Sequence, residues 1–231
     1  MDNQKKQWEE SYQNKDNYMF YPHEEVIRFF SQYINKRKGF DTFEKKHNVN
    51  GLPKVLDLGC GIGRHIVFSN QMQTDAYGVD LSEAAIEFAV SWAKKEGIPN
   101  AEEKILQCDI TKMPFQNNFF DFMVSHGVLD SMSLQNCQKS IVEAHRVLKS
   151  GGYFYCDLIS GDDSEHDSNF SGEEVIKTEH ERDTIQLFYN ENLIKNLYSK
   201  YFEITDMILI KRNSITNNQG TSRYHIVFRK K

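Results

Sequence analysis

The chain has 231 residues, of which 39% are hydrophobic and 26% charged, and its formal net charge is −5. This length suits one α/β domain with a well-buried core. The negative charge argues against a nucleic-acid partner, which requires a basic face. No apolar run approaches the length of a membrane span, and the polar N-terminus is neither a secretory signal nor a transit peptide. We therefore expect a cytoplasmic protein with no nucleic-acid or membrane partner; composition carries no signal for an oligomeric state.

The cysteines show no CxxC spacing, and they are Cys60, Cys108, Cys137 and Cys156. Three of them lie in or at the end of strand-like runs, which is typical of free thiols in a reducing compartment. We expect neither disulfides nor a metal site.

In chain order, the first predicted element is an amphipathic helix over 23–34, HEEVIRFFSQYI. Strand-like and helix-like runs then alternate. Apolar runs predict strands at 54–60, 75–81, 104–110, 119–128 and 153–159. Helical periodicity predicts helices at 64–72, 83–97 and 133–152, where Ser82 caps the second and the glycine pair 151–152 closes the third. This alternation predicts a parallel sheet covered by helices on both faces.

The last third of the chain departs from this alternation. A helix over 190–201 leads to strand-like runs at 202–212 and 223–230, which predict an antiparallel pair at the edge of the sheet. An acidic segment, about 160–184, stands outside the core pattern as an insertion on the substrate side. We therefore predict one domain, 1–231, with residues 1–40 as an N-terminal helical region.

The stretch VLDLGCGIGRH, residues 55–65, joins a buried strand to a glycine-rich turn. A dinucleotide fingerprint needs G-x-G-x-x-G after its strand. Gly59 and Gly61 fit this pattern, but Arg64 stands at the third position and Gly63 comes one residue early. No Gly-Lys-Ser/Thr follows, so the P-loop pattern is missing as well. A phosphate cradle, and with it an NAD-dependent oxidoreductase, is the weakest interpretation.

This stretch resembles the first motif of class I S-adenosylmethionine-dependent methyltransferases. GVDLSEAAIEFA and CDITKMPFQNNFFDFMVSHGVLDSM resemble the family's next three motifs, in order and at family spacing. HRVLKSGGYFYCDLI is similar to its helix, glycine pair and fifth strand, and TIQLFYNENLIKNLYSKYFEITDM resembles a segment of the small-molecule branch. The resemblance implies a Rossmann-like α/β fold with a seven-stranded, mostly parallel sheet, an antiparallel C-terminal edge strand and helices on both faces.

The resemblance also implies a site for S-adenosyl-L-methionine. Asp80 would accept hydrogen bonds from both ribose hydroxyls, a task that suits an acceptor-only carboxylate. Asp109 would receive the adenine amino group, and Ile110 would flank the ring. The predicted site further includes Cys60 within the turn, Leu81 after Asp80, Ser125 at the end of the fourth strand and Tyr21 in an N-terminal lid.

The residues support such a ligand on physical grounds too. Gly59, Gly61 and Gly63 allow the backbone to approach a nucleoside and an amino-acid tail. Asp57 offers an acceptor to the ligand's ammonium, and Arg64 or His65 offers a donor to its carboxylate, at the strand ends where open α/β sheets bind ligands. Each residue also has a structural alternative: a helix cap for Asp57, a loop acid for Asp80, a turn former for Asp109 and a surface base for Arg64.

The candidates for acid–base chemistry are His126 and Asp130 after the fourth strand, and His166 and His180 in the acidic insertion. A general base is needed only where the methylated atom holds its proton tightly. Each histidine has a structural role as its alternative. Aromatic residues at 18, 20 and 21 form either a lid that excludes water or a packed core edge.

These observations favour a methyltransferase that acts on a small molecule at oxygen or nitrogen. SHGVLDSM stands where related enzymes that methylate planar nitrogens carry Asn-Pro-Pro-Tyr or Asp-Pro-Pro-Tyr. An RNA or protein methyltransferase is the first alternative, and the negative net charge argues against it. A cofactor-binding protein without catalysis is the second.

Overall fold

The structure is a computed structural model. It describes residues 2–162, 166, 169–176, 184–217 and 219–231. His180 and most of the acidic insertion lie outside the described residues. No helix in the described part of the chain is both long enough and apolar enough to span a membrane.

The described helices are α1 (Asp2–Asn14), α2 (Glu24–Phe29), α3 (Arg64–Gln71), α4 (Glu83–Lys95), α5 (Ala101–Lys104), α6 (Leu134–Val147) and α7 (Glu191–Tyr198). The described strands are β1 (Asn35–Arg37), β2 (Phe43–Lys45), β3 (Lys54–Leu58), β4 (Asp75–Asp80), β5 (Ile105–Gln107), β6 (Phe120–Ser125), β7 (Leu148–Ile159), β8 (Gly172–Val175), β9 (Ile185–Phe188), β10 (Phe202–Asn213) and β11 (Gly220–Lys230).

The core of the molecule is a seven-stranded sheet in the order β10-β11-β7-β6-β3-β4-β5. The five strands from β7 to β5 in this order run parallel, and β6 is buried along its whole length. Near-continuous apolar runs such as that of β6 are what a sheet covered on both faces requires. The predicted α/β fold class is confirmed.

The predicted antiparallel pair forms the edge of this sheet. β11 pairs antiparallel with β7, and β10 pairs antiparallel with β11. The C-terminal strand β11 therefore lies second from the edge, and β10 is outermost. This arrangement brings the first half of β11 next to the end of β7, where Arg223 is the register partner of Ile159.

Two predicted helix starts have the expected chemistry. The Ser82 hydroxyl accepts a hydrogen bond from Ala85 N at 3.1 Å at the start of α4. The Ser133 hydroxyl accepts from Asn136 N at 3.3 Å at the start of α6. Both are N-cap bonds that satisfy a backbone donor in the first turn of a helix.

The predicted end of the third helix is wrong. Helix α6 ends at Val147, and the glycine pair 151–152 lies inside β7. A Cβ atom on Gly152 would lie 2.8 Å from the carbonyl oxygen of Asp121, so the pair allows β6 and β7 to approach where their register shifts. The end of α6 is bound instead by the Lys230 ammonium, which donates to His145 O in the helix and to Leu148 O directly after it.

The predicted N-terminal helix begins at Glu24 as α2 and continues as a π-helical turn over Phe30–Ile34. Its apolar stripe packs on the sheet and buries Val26, Phe29, Phe30 and Ile34. The hairpin of β1 and β2 that follows was not predicted, because its strands have only three residues each and are mostly polar. The acidic insertion contributes β8, which pairs antiparallel with β9.

Candidate functional site

A cavity of about 490 Å³ lies at the carboxyl ends of β3, β4, β5 and β6. Its walls come from the loops after these strands, and helix α1 covers it. In open parallel sheets this edge is where ligands bind. The predicted site residues that line it are Gly59, Cys60, Gly61, Arg64, His65, Asp80, Leu81, Asp109, Ile110, His126 and Asp130.

The glycine turn after β3 forms one wall of the cavity. Gly59, Gly61 and Gly63 have φ values of 67°, 53° and 90°, in the left-handed region that favours glycine. A Cβ atom on Gly61 would lie 2.5 Å from the hydroxyl of Tyr12, so the turn and α1 approach each other closely. Gly63 precedes α3, and a Cβ atom there would lie 3.1 Å from Cβ of Ala89 in α4. The third glycine thus serves helix packing, one residue earlier than in a dinucleotide fingerprint.

Asp80 ends β4 at the centre of the cavity. Its two carboxylate oxygens accept from Gly61 N at 2.8 Å and from Ser82 N at 3.0 Å. Burial raises its pKa to about 6, against the lowering effect of these backbone hydrogen bonds. Each carboxylate oxygen can accept a further hydrogen bond. The side chain is therefore both fixed in position and able to bind a ligand.

Asp57 lies beneath the turn, near the end of β3. Its Oδ2 atom is buried and has no hydrogen-bond partner in the described part of the chain. The Nδ1 atom of His65 lies 3.6 Å from this oxygen, beyond hydrogen-bond distance. A buried carboxylate oxygen without a donor is costly. This atom is accordingly suited to receive the ammonium of a ligand.

Arg64 is held by the segment between α1 and α2. Its guanidinium donates to the Tyr21 carbonyl at 3.4 Å and to His126 Nδ1 at 3.3 Å. Burial lowers its pKa from the ordinary arginine value. Arg64 is thus a cavity residue rather than a surface base. The Tyr21 side chain itself is 85% exposed and is not among the lining residues.

Asp109 and Ile110 follow β5 and line the opposite end of the cavity. Asp109 Oδ1 accepts from Thr111 N at 2.8 Å, so the residue also forms the turn that was its structural alternative. Ser125 is fully buried at the end of β6 and is not among the lining residues.

Helix α1 closes the cavity with residues that sequence reasoning missed. Gln4, Trp8 and Tyr12 line the cavity at a spacing of four residues, which places them on one face of the helix. Glu9 fastens α1 to the start of α4, where its carboxylate accepts from Ser82 Oγ at 2.7 Å and from Ala84 N at 3.2 Å. Tyr18 and Phe20 pack instead on Phe88 and Trp92, outside the cavity.

The end of the cavity beyond β6 holds His126. Since Arg64 donates to its Nδ1, the ring proton is assigned to Nε2, which lies 3.5 Å from Asp157 Oδ2. Burial, reinforced by His23, His65 and Arg64, lowers its pKa to about 3. The imidazole is therefore neutral, and both of its nitrogens face protein groups.

Asp130, Asp157 and Arg223 form an ion group at the same end. The Arg223 guanidinium donates to Asp157 Oδ2 at 2.8 Å and to Asp130 Oδ2. Ile159 N also donates to Asp130 Oδ2, while Asp130 Oδ1 is buried without a partner in the described residues. Burial raises the pKa of Asp130. The pKa of Asp157 is lowered, because Arg223 and the hydrogen bond from Gly127 N outweigh the opposite effect of burial.

His166 lies away from this cavity. Its ring stacks on Phe170 at a centroid distance of 4.4 Å, and its Nε2 lies 3.2 Å from Glu174 Oε1. It is not among the residues that line the cavity. His180 lies outside the described residues.

The sequence-family comparison matches residues 51–216 to the methyltransferase domain family, which is more than half of the chain. The chain belongs to this family. The glycine turn, Asp80 and Asp109 all lie within the matched residues. Among solved structures, a SAM-dependent methyltransferase from Methanosarcina mazei superposes with a TM-score of 0.62 at 20% identity, covering 79% of this chain and 94% of the other. At this identity the likeness shows the fold alone.

Curated relatives of the methyltransferase match over shorter stretches. Sterol 24-C-methyltransferase ERG6B of Gibberella zeae is 37% identical over 115 residues, which is 47% of this chain and 28% of that protein. Probable tRNA methyltransferase 9B of Mus musculus is 30% identical over 99 residues, 42% of this chain and 20% of that protein. The chain thus covers less than a third of the length of either relative.

The site of the methyltransferase fits S-adenosylmethionine. Asp57 and Gly63 are not among the residues that line the cavity, but the unpartnered oxygen of Asp57 beneath the turn has the chemistry to match an amino-acid ammonium. The guanidinium of Arg64 has the chemistry to match the carboxylate. Asp80 at the centre of the cavity and Asp109 at its other end offer acceptors of the kind that ribose hydroxyls and an adenine amino group require. At 490 Å³ the cavity also lies in the size range of small-molecule sites.

Several residues in and around the cavity carried signals that sequence reasoning did not use. Asp157 is a charged residue inside the apolar run of β7, a pattern that needs a buried partner. Arg223 is a charged residue directly before the apolar run of β11. His23 precedes two acidic residues at the start of α2 and caps that helix through its Nδ1. Tyr12 gave no such signal, since its position over the turn depends on where α1 packs.

Proposed function

We propose that this chain transfers the methyl group of S-adenosyl-L-methionine to an oxygen or nitrogen atom of a small molecule. The observation that carries the proposal is the covered cavity, in which the walls beside the cofactor motifs continue into a second part. We call this part the second compartment; it is lined by the loop after β6 and by residues of β7, β9 and β11. A covered compartment admits a small acceptor more readily than the surface of a macromolecule. The proposed protein is one cytoplasmic domain, with residues 1–40 as its lid and 160–184 as an insertion on the substrate side.

Each residue of the cofactor site has a role in the proposal. Gly59 and Gly61 allow the ligand to approach the backbone of the turn closely, because neither carries a Cβ atom. Arg64 in the cavity wall and Asp57 beneath the turn hold the charged amino-acid end of the ligand. Asp80 receives the ribose hydroxyls, and Asp109 with Ile110 holds the adenine. When bound, the cofactor supplies an electrophilic methyl group on a sulfonium.

The chain's own contribution is chiefly positioning. Methyl transfer is an in-line displacement, so holding the acceptor atom on the axis of the breaking bond supplies much of the rate. Helix α1 covers the reacting atoms and excludes water through Trp8 and Tyr12. Of the proposed acid–base residues, His126 and Asp130 lie in the cavity wall, whereas His166 does not.

The first alternative is methylation of RNA. The tRNA methyltransferase relative supports it, and the net charge of −5 argues against it, because RNA binding relies on a basic surface. The second alternative is a cofactor-binding protein without catalysis, which would need the first compartment of the cavity but not the second.

The experiment that tests the proposal is methyl transfer from labelled S-adenosylmethionine to fractions of a cell extract. We expect label in the fraction below about 1 kDa and none in purified RNA or protein. The control is the variant Gly61→Val, which places a side chain where Tyr12 lies and should abolish transfer. Label in RNA would support the first alternative. Cofactor binding without transfer to any fraction would support the second.

A further inference from the structure

The second compartment of the cavity lies over β6, β7 and β11, away from the cofactor motifs. In the sheet, β11 is separated from β3 by β7 and β6. Since neighbouring strands lie roughly 4.8 Å apart, Arg223 on β11 lies roughly 14 Å from the glycine turn after β3. The adenine end of the cofactor site extends in the opposite direction, towards β4 and β5. A side chain of β11 in the cavity wall therefore faces the acceptor rather than the cofactor.

Arg223 is fixed in this wall by two buried carboxylates. Its Nε donates to Asp157 and one of its terminal nitrogens donates to Asp130, and these two acids are 0% and 1% exposed. The acids are anchored in turn, by Gly127 N at 2.7 Å and by Ile159 N at 2.8 Å. The guanidinium cannot turn away from the cavity without breaking these bonds. Arg223 is thus a donor held in one orientation before any acceptor binds.

The guanidinium still has donors to offer. It carries five N–H bonds in a planar fork, and the hydrogen bonds to Asp130 and Asp157 engage only part of them. The described part of the chain provides no further partner, and the side chain is 30% exposed. An oxygen atom of the acceptor can complete its hydrogen bonding.

The charge of Arg223 is already compensated. Two carboxylates face one guanidinium, and His126 and His225 stay neutral near pH 7 because burial lowers their pKa values to about 3 and about 4. An anionic acceptor would therefore gain no net attraction here. An ammonium group has no acceptor atom for the N–H donors of Arg223, so Arg223 does not hold it even where the unpartnered Oδ1 of Asp130 attracts it. An uncharged oxygen atom can accept the hydrogen bonds of Arg223 without a charge penalty.

We propose that Arg223 determines substrate specificity by donating hydrogen bonds to an uncharged hydroxyl or carbonyl oxygen of the acceptor. This inference rests on the proposed function and narrows its substrates to neutral, oxygen-bearing small molecules. Arg223 binds and orients the acceptor, and the displacement of the methyl group itself takes place nearer the cofactor.

The test uses four small probes on one ring skeleton: benzyl alcohol, acetophenone, benzoate and benzylamine. Their binding to the protein saturated with S-adenosylhomocysteine is followed by ligand-observed NMR. We expect the two neutral probes to bind at least fivefold more tightly than benzoate, whereas benzylamine can bind at Asp130 Oδ1 and should bind equally well in Arg223→Lys. A preference for benzoate, or no binding of the neutral pair, would overturn the inference.

Two variants connect this preference to the residue. Arg223→Lys keeps the positive charge but loses the planar guanidinium, and should weaken the binding of the neutral probes at least fivefold while S-adenosylhomocysteine binding is unchanged. The matched control is Arg229→Lys, since Arg229 is exposed at the far end of β11. This control should change neither the binding of the probes nor that of S-adenosylhomocysteine. If the neutral probes bind equally well to Arg223→Lys and to the wild type, Arg223 is not the residue that binds the acceptor oxygen. If the wild-type chain does not bind S-adenosylhomocysteine, the proposed function itself is refuted instead.

Discussion

Asp80 combines two properties that a single titration can test. It is fully buried with a pKa raised to about 6, and its ionised form is the one that accepts hydrogen bonds from two hydroxyls. Lowering the pH through 6 protonates the carboxylate and removes an acceptor. We therefore expect the affinity for S-adenosylhomocysteine to fall about tenfold per pH unit below pH 6. Calorimetric titrations between pH 5 and 8 measure this directly.

The variant Asp80→Asn gives the comparison. It should bind at least tenfold more weakly at pH 7, since hydrogen bonds to a charged group contribute about 1.5–3 kcal/mol. Its affinity should no longer change between pH 5 and 7. Asp75→Asn, at the other end of the same strand, is the control and should keep the wild-type profile. A pH step that survives in Asp80→Asn would assign the titration to another group.

Residues of the cofactor site were more predictable than residues of the acceptor compartment. Asp57, Asp80 and Asp109 each follow or end a strand, so the strand pattern alone brings them to one edge of the sheet. Asp130, Asp157 and Arg223 come together only through the pairing of β7 with β11. Local periodicity carries no information about such a contact. Asp130 was predicted from its place after the fourth strand, but its partners were not.

Helix α1 is the element whose role is most open to a kinetic test. Glu9 holds it to the start of α4, and hydrogen bonds from Ser82, Ala84 and Glu83 lower the Glu9 pKa although its partial burial acts the other way. The carboxylate also lies where the helix N-terminus favours negative charge. In Glu9→Gln the charge is lost and an amide donor faces backbone donors. We expect S-adenosylhomocysteine to dissociate about 2–10-fold faster, for a loss of about 0.5–1.5 kcal/mol.

Stopped-flow fluorescence can follow this step, because Trp8 lines the cavity. The matched control is Glu10→Gln, since the neighbouring Glu10 faces solvent and, among the described residues, pairs with Lys6 at 3.6 Å. Dissociation at the wild-type rate in Glu9→Gln would show that the contact with α4 does not hold α1 over the site.

At the level of elements, prediction failed where tertiary contacts decide. The glycine pair 151–152 has the composition of a helix stop, yet it serves the close approach of β6 and β7. The Lys230 ammonium satisfies the end of α6 in its place, from a position more than 80 residues further along the chain. The α2 stripe, in contrast, was predictable because helical periodicity is a local property.

For the whole molecule, the alternation of strands and helices was sufficient to predict a parallel sheet covered on both faces, since parallel strands need crossover connections of this length. The number of strands, seven, was what the family resemblance implied. The late pair of strands predicted the antiparallel edge. Chemistry was less predictable than architecture: the motifs identify the cofactor class, whereas the second compartment of the cavity is assembled from the loop after β6 and from β7, β9 and β11. The net charge of the chain bears only on which class of acceptor, small molecule or RNA, is methylated.

The central claim is that the glycine turn and Asp80 form a site for S-adenosylmethionine rather than for a dinucleotide. Calorimetric titration of the purified chain with S-adenosylhomocysteine, with NAD in parallel, tests it most directly. We predict binding of S-adenosylhomocysteine in the micromolar range and no heat from NAD. Binding of NAD alone, or of neither ligand, would contradict the account.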